Sequence, residues 1–173
     1  MSLAGSRVLF SLMFLLGALA SWAAFYLQSG GGLDSCPLWS AQRGLLVLLG
    51  VSNLIAAAHG PRRLGRLLYW GLNLFWGLLG VVTAGRHVLL QNIPSEQLLA
   101  CVPDLPFMLR HFSWWQTLQL AFKGTSDCAE VSWTLLDMSL PEWSLLVFVA
   151  VLMVSGYQLW RRLQALWQAP VLS

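Results

Sequence analysis

The residues best suited to chemistry in this 173-residue chain are its three cysteines, Cys36, Cys101 and Cys128, together with Arg43, Arg86 and His87. Cys36 stands in the stretch Asp34-Ser35-Cys36-Pro37-Leu38-Trp39-Ser40-Ala41-Gln42-Arg43, where no second cysteine is close enough in sequence to pair with it. Three is an odd number, so one pair plus one free thiol is the simplest arrangement, and a leftover thiol in an oxidising compartment invites a reactive role. Arg43 closes the same stretch. A fixed positive charge near Cys36 favours the thiolate, which is the nucleophilic form, and a guanidinium can donate hydrogen bonds to a carbonyl-bearing cofactor. The plain alternative for Arg43 and Arg86 is snorkelling, in which each lifts its charged head into the lipid headgroups.

Other chemistries find less support. His59 and His87 fall at opposite ends of their apolar runs, too far apart to be axial ligands of one haem. A zinc site from Cys36, Cys101, Cys128 and His87 lacks the short Cys-x-x-Cys spacing of metal-binding sequences, so no metal is expected. The sequence shows no Gly-rich phosphate loop, Ser/His/Asp constellation or internal repeat, and Gly71, Gly77 and Gly80 read as close helix contacts.

The elements that must position these residues are set by composition. Hydrophobic residues make up 57% of the chain and charged residues only 10%, with a mean hydropathy of +0.66. A soluble domain carries about a quarter charged residues, so this is the composition of an integral membrane protein. Ten tryptophans agree, because indoles favour both faces of a bilayer. Four charge-free stretches, 8–27, 44–61, 67–85 and 143–160, fit the roughly 17–25 residues a helix needs to cross the hydrocarbon core. The fold class expected is an all-α, four-transmembrane-helix bundle forming a single membrane domain over residues 1–173. Arg7, the apolar run and Ala18-Leu19-Ala20-Ser21 share features with a secretory signal peptide. The run is longer than the usual ~7–15 residues and is followed at once by Trp22, Phe25 and Tyr26, so a retained first helix is expected.

Charge sets the expected orientation. Arg7, Arg62, Arg63, Arg66, Arg161 and Arg162 fall on the side of the termini, with no acidic residue. All seven acids fall on the other side, with only Arg43, Arg86, Arg110 and Lys123 as cations. By the positive-inside rule the segments 1–7, 62–66 and 161–173 are cytoplasmic, and the loops 28–43 and 86–142 are external. The pI near 9.1 is then a topology signal, and no nucleic-acid partner is expected because the arginines form no single basic face. All three cysteines lie on the external side. Within the second external loop, Phe107, Leu109, Trp114, Trp115, Leu118 and Phe122 alternate with polar residues in a short amphipathic piece. Two placements fit it: flat on the lipid surface with its aromatics in the headgroups, or packed on the spans. Cys101 and Cys128 flank it, and a bridge between them would staple a long loop, stabilising by roughly 3–4 kcal/mol in the chain-entropy model.

Several segments together resemble the disulfide bond formation protein B family (DsbB). They are Cys36-Pro37-Leu38 with Gln42-Arg43, Gly85-Arg86-His87 with Leu90-Gln91, Cys101, Asp127-Cys128-Ala129-Glu130, Trp133, and Pro141-Glu142-Trp143. The resemblance covers nearly the whole chain. It implies an inner-membrane thiol:quinone oxidoreductase that reoxidises a DsbA-like periplasmic thiol oxidase and passes electrons to ubiquinone or menaquinone. It implies that Cys101 and Cys128 form the redox-active disulfide, with Cys101 attacked by the partner, and that Arg43 lies close to the quinone. Trp39, Arg86 and His87 are placed with it as cofactor-binding candidates.

One position departs from the family. The pattern Cys-Pro-Leu-Cys reads Cys-Pro-Leu-Trp here, so Trp39 replaces the thiolate that meets the quinone. A three-thiol cycle restores the balance. Cys36 adds to the quinone, Cys128 attacks Cys36 and expels hydroquinone, and Cys101 resolves the Cys36–Cys128 bridge to regenerate Cys101–Cys128. Each step is ordinary thiolate attack, and tethering in one chain supplies the effective concentration. Trp39 can stack on the quinone ring or serve as an interfacial tryptophan. The alternative readings are a degenerate paralogue that binds partner or quinone without efficient turnover, and a stapled structural membrane protein with an inert thiol.

Overall fold

The computed structural model describes residues 3–31, 36–98, 105–129 and 134–167. Four long helices carry the fold: α1 (Leu3–Gly31), α2 (Pro37–His59), α3 (Arg63–Gln91) and α7 (Leu140–Trp167). Between α3 and α7 come α4 (Leu105–His111), α5 (Trp114–Lys123), α6 (Ser126–Ala129) and a hairpin of β1 (Thr134–Leu135) and β2 (Met138–Ser139). Each long helix holds a segment long and apolar enough to cross a membrane: Gly5–Tyr26, Pro37–His59, Leu64–Gln91 and Leu140–Ala165. The fold is the all-α, multi-pass bundle that the composition calls for.

All four long helices run further than the charge-free stretches do, α1 taking in Arg7 and α7 passing Arg161 and Arg162 to Trp167. α2 begins at Pro37 and so takes in Trp39, Gln42 and Arg43, while α3 continues past Arg86 and His87 to Gln91. The physical reason is that an arginine ends an uncharged window but not a helix, because its helix propensity is high. Backbone at membrane depth also keeps its internal hydrogen bonds. Pro37 starts α2 because its ring presets φ and its missing N–H is one no helix would pair at that position. Cys36 caps it in extended conformation. At the other end Gly60 adopts the left-handed conformation (φ 57°) and its N–H donates to the Ala56 carbonyl at 3.1 Å.

The helices pack in the order α1 on α2, α2 on α3 and α3 on α7. Phe10 of α1 stacks on Trp70 of α3 with centroids 4.6 Å apart, and Met13, Leu49 and Val151 join α1, α2 and α7. Phe148 lies against Gly80 so closely that a side chain there would enter its ring. In the middle of the bundle, Asn53 and Asn73 exchange two amide hydrogen bonds of 2.9 Å, and both are buried. An amide left unpaired in apolar surroundings costs several kcal/mol in alkane-like reference states, so this pair holds α2 and α3 in register. Leu12, Leu19, Ile55, Leu68, Leu78 and Met153 point outward, a surface suited to lipid rather than water.

A layer of short elements between α3 and α7 sits on one end of this bundle. α5 is closed by a capping box, with the Ser113 side chain accepting from the Gln116 N–H and the Gln116 side chain accepting from the Ser113 N–H. The α4–α5 pair buries Met108, Thr117 and Ala121, and leaves Phe107, Trp114, Trp115 and Leu118 exposed. The amphipathic piece therefore breaks at Ser113, packs one side on the bundle and turns its aromatics outward. Leu136 and Asp137 make the hairpin turn with positive φ of 55° and 61°. The Trp143 indole donates to the Leu135 carbonyl at 3.1 Å, fixing the hairpin on α7.

Candidate active site

The extension of α2 and α3 brings the chemistry together. Cys36, at the start of α2, is covalently bonded to Cys128 of α6 across a sequence separation of 92. Cys128 is fully buried and Cys36 is 6% exposed, in a cluster with Ala24, Leu38, Trp39 and Leu90. The loop pairing Cys101–Cys128 is thus not the one formed here, and Cys101 lies outside the described residues. The reason is the course of the chain after α5. Gly124, with φ 84° and no room for a side chain beside Leu90, turns the backbone in. α6 then packs against α3 and α2, which lays Cys128 on Cys36. Thr125 holds the turn: its carbonyl accepts from the Cys128 N–H at 3.0 Å, and its hydroxyl donates to the Cys128 sulfur at 3.4 Å.

His87 of α3 joins the same site. Its Nε2 lies 3.7 Å from Cys36 Sγ. Its Nδ1 is 3.0 Å from the amide nitrogen of Gln42, and the Gln42 amide oxygen faces the Ser144 hydroxyl of α7, whose other partner is the Pro141 carbonyl at 2.9 Å. His87, Gln42 and Ser144 are all buried. Cys36, His87 and Cys128 present their donor atoms within 4.8 Å of one another. A metal ligates the thiolate, and in the bridged state neither sulfur is one.

Beside this cluster is a largely apolar cavity of about 260 Å³, walled by Ala24, Trp39, Gln42, Arg43, Trp143 and Ser144 among others. The volume is just under the ~300–1,000 Å³ typical of ligand pockets. Two residues of its wall, Trp39 and Arg43, each have an N–H, Nε1 and Nε, buried without a hydrogen-bond partner. The Arg43 guanidinium also sits 3.9 Å above the Phe25 ring of α1, so Arg43 is folded onto the bundle. Neither Cys36 nor His87 is part of the wall. Arg86 is elsewhere as well: its Nε donates to the Phe122 carbonyl at 2.8 Å and ties α3 to α5. Among the cofactor-binding candidates, then, Trp39 and Arg43 reach the cavity, His87 reaches the disulfide, and Arg86 ties α3 to α5.

A dithiol/disulfide centre buried at the end of a four-span bundle has known counterparts. Residues 6–158 match the family model for Disulfide bond formation protein DsbB. The chain belongs to the DsbB family. It is 75% identical over 164 residues, covering 95% of both chains, to Disulfide bond formation protein B 2 of Pseudomonas fluorescens strain Pf-5. It is 44% identical to Disulfide bond formation protein B 1 of Pseudomonas aeruginosa PAO1, over 94% of this chain and 99% of the other. It is 41% identical to Disulfide bond formation protein B of Stutzerimonas stutzeri A1501, over 94% and 99%. As a DsbB-family member the protein is a disulfide-forming oxidoreductase of the membrane.

Two residues of this DsbB-family site escaped sequence reasoning as functional groups. Gln42 is quoted in the family pattern but given no role, and Ser144 is not singled out at all. A usable signal existed for Gln42. Once α2 is extended to Pro37, it is an uncharged but strongly polar side chain inside a span, and such residues face the bundle interior and find partners there. Nothing in the sequence distinguishes Ser144 from Ser40 or Ser155.

Proposed function

We propose that this protein is a thiol:quinone oxidoreductase of the bacterial inner membrane. It takes electrons from a reduced DsbA-like periplasmic thiol oxidase and passes them to ubiquinone or menaquinone. The observation that carries the reading is the buried Cys36–Cys128 disulfide next to a ring-sized apolar cavity with two unpartnered N–H donors, on Trp39 and Arg43. When bound, a quinone supplies an acceptor for two electrons and two protons. A side-chain shift at Trp39 or Arg43 would let a ring carbonyl in the cavity serve as the acceptor that these two donors lack. The half-exposed and exposed Ala20 and Ala23 at the rim open the cavity toward lipid, where quinones dissolve.

The chain's own part is thiol–disulfide exchange. A partner protein cannot touch Cys128, which has no exposed surface. An intramolecular carrier is therefore needed, and Cys101 is the remaining thiol. Attack by the Cys101 thiolate on Cys128 forms Cys101–Cys128 and releases Cys36, in keeping with the three-thiol cycle. The Cys36–Cys128 bridge is the product of the quinone-reducing half of that cycle.

Purified protein given a reduced DsbA-like partner and a short-tailed quinone is expected to form hydroquinone and partner disulfide in equal amounts. In Arg43→Ala, the apparent quinone affinity should fall about tenfold, as loss of a charge-assisted hydrogen bond worth ~1.5–3 kcal/mol suggests. Unchanged quinone dependence would reduce Arg43 to an anchor at the membrane edge. A second reading, the degenerate paralogue, draws on the same geometry, because Trp39 stands in the cavity wall where the family has a thiol and Cys36 does not. Quinone binding without turnover would establish it.

The orientation belongs to this proposal: residues 62–66 and both termini cytoplasmic, the disulfide end periplasmic. Reporter fusions after Arg63 and after Asp104 should show periplasmic activity only at the second. The reverse pattern overturns it.

A further inference from the structure

Cys36, His87 and Cys128 reach one point from the start of α2, from α3 and from α6, and their donor atoms lie within 4.8 Å of one another. Packing thus supplies the ligand spacing that the sequence lacks. His87 Nε2 stands 3.7 Å from Cys36 Sγ. With Zn–N of ~2.0–2.1 Å and Zn–S of ~2.3 Å, the nitrogen and sulfur of a tetrahedral zinc site are about 3.6 Å apart. One edge of such a site is therefore present before the disulfide opens, and reduction frees both sulfurs to complete it. The groups behind the ligands fit as well. The Thr125 hydroxyl donates to Cys128 Sγ at 3.4 Å, a bond that strengthens when the sulfur is an anion. With its proton on the Pro141 carbonyl, the Ser144 hydroxyl can accept from the Gln42 amide, whose oxygen then turns to take the proton on His87 Nδ1. A metal-bound histidine donates its other ring N–H in this way.

We infer that reduced Cys36 and Cys128, with His87 Nε2, form a binding site for a thiophilic divalent cation, Zn²⁺, which holds the centre closed to reoxidation while bound. The step balances. Two thiols lose their protons to solvent, the metal gains two thiolate bonds and one bond to the imidazole nitrogen, and no electron moves. Charge selects the cation. Cys36 and His87 are 6% exposed and Cys128 is fully buried, so a site with net charge is disfavoured. Two thiolates, a neutral imidazole and Zn²⁺ sum to zero, whereas Cu⁺ leaves one negative charge. Mg²⁺ and Ca²⁺ require oxygen ligands, which this set does not offer. Two cysteines and a histidine are a set that leaves zinc a fourth position for water. Thiolates held by the metal are withdrawn from nucleophilic attack, so zinc acts as a reversible brake on the reduced protein. The inference requires only that Cys36–Cys128 be reduced, and it stands whichever oxidant the chain uses.

The test therefore omits quinone and partner. Full-length protein in detergent, reduced with a phosphine, should hold one Zn²⁺ per chain in equilibrium dialysis, and the oxidised chain should hold none at the same free zinc. Cd²⁺ in place of zinc should give the near-ultraviolet charge-transfer absorption of two thiolates. These parent comparisons need no variant to fold. Loss of a ligand in His87→Ala should weaken Zn²⁺ by more than the ~10–100-fold typical of losing an outer-shell partner. Cys36→Ser should do the same, compared in the reduced state, where the parent also lacks the bridge. Cys101→Ser should bind as the parent does. In that variant bound Zn²⁺ should slow re-formation of Cys36–Cys128 by a small-molecule disulfide by about tenfold or more, and a chelator should restore the rate. Zinc held equally by the oxidised chain, no stoichiometric binding by the reduced one, parent affinity in His87→Ala or Cys36→Ser, loss of binding in Cys101→Ser, or bridge re-formation at the same rate with and without zinc each overturns the inference. Loss of quinone reduction alone, with these readouts as expected, counts against the quinone reading and not against this one.

Discussion

In Cys36→Ser, quinone reduction driven by the reduced partner should fall by about a hundredfold or more, since one member of a sulfur relay acts only as part of the unit. Exchange of Cys101 and Cys128 with the partner should survive, because loss of Cys36 frees Cys128 from the bridge at the start of α2. The structural cost is separable from the chemical one. The bridge closes a loop with a sequence separation of 92, worth about 4–5 kcal/mol in the chain-entropy model, and a Cys101–Cys128 bridge restores only a smaller constraint. A lowered unfolding temperature is therefore expected alongside lost turnover. Quinone reduction undiminished in this variant would falsify the three-thiol cycle, whatever happens to stability.

Much of this molecule is legible in its sequence, and the residues show where legibility ends. The four spans follow from a solvent argument that needs no tertiary information: stretches such as 143–160 have no charge to offer water. Their ends are harder. Arg43 and Arg86 stop an uncharged window, yet α2 and α3 continue through both, because the arginine stems lie along the bundle and their heads find Phe25 and the Phe122 carbonyl. The residue types of the site are legible too, since thiols, a histidine and an arginine gather on one side of the membrane. Which thiols meet is not. Cys101 flanks the same loop piece as Cys128, whereas Cys36 is 92 residues away from it, and only the turn at Gly124 and the docking of α6 decide the pairing. Gln42 and Ser144 are silent for the same reason, as their roles exist only after α2, α3 and α7 have packed.

Trp39→Cys should produce the opposite change to Cys36→Ser. The indole lies in the cavity wall, while Cys36 is held by Cys128 away from it. A thiol introduced at this position would face the cavity directly, and its thiolate could form while Cys36 remains bridged. Exchange of the introduced thiol with Cys36 would then complete a two-thiol relay about one helical turn apart. Turnover is expected to rise by about tenfold or more, the scale of gain from placing a nucleophile in reach of its target. The gain has a cost in affinity and stability. The Trp39 indole N–H, unpartnered in the wall, is lost as a donor, so the apparent KM for quinone should rise while kcat rises more. Trp39 is also packed with Ala24, Leu38 and Leu90, and removing a buried indole costs roughly 3–5 kcal/mol where the site does not collapse. Steady-state rates in detergent, taken well below the unfolding temperature of the variant, separate the two effects. A variant that stays folded and turns over no faster than a working parent would show that Trp39 does not limit the relay. Turnover in the variant with none in the parent would mean that the indole is where electron flow is cut, and that this chain is the degenerate paralogue that binds partner or quinone without turnover.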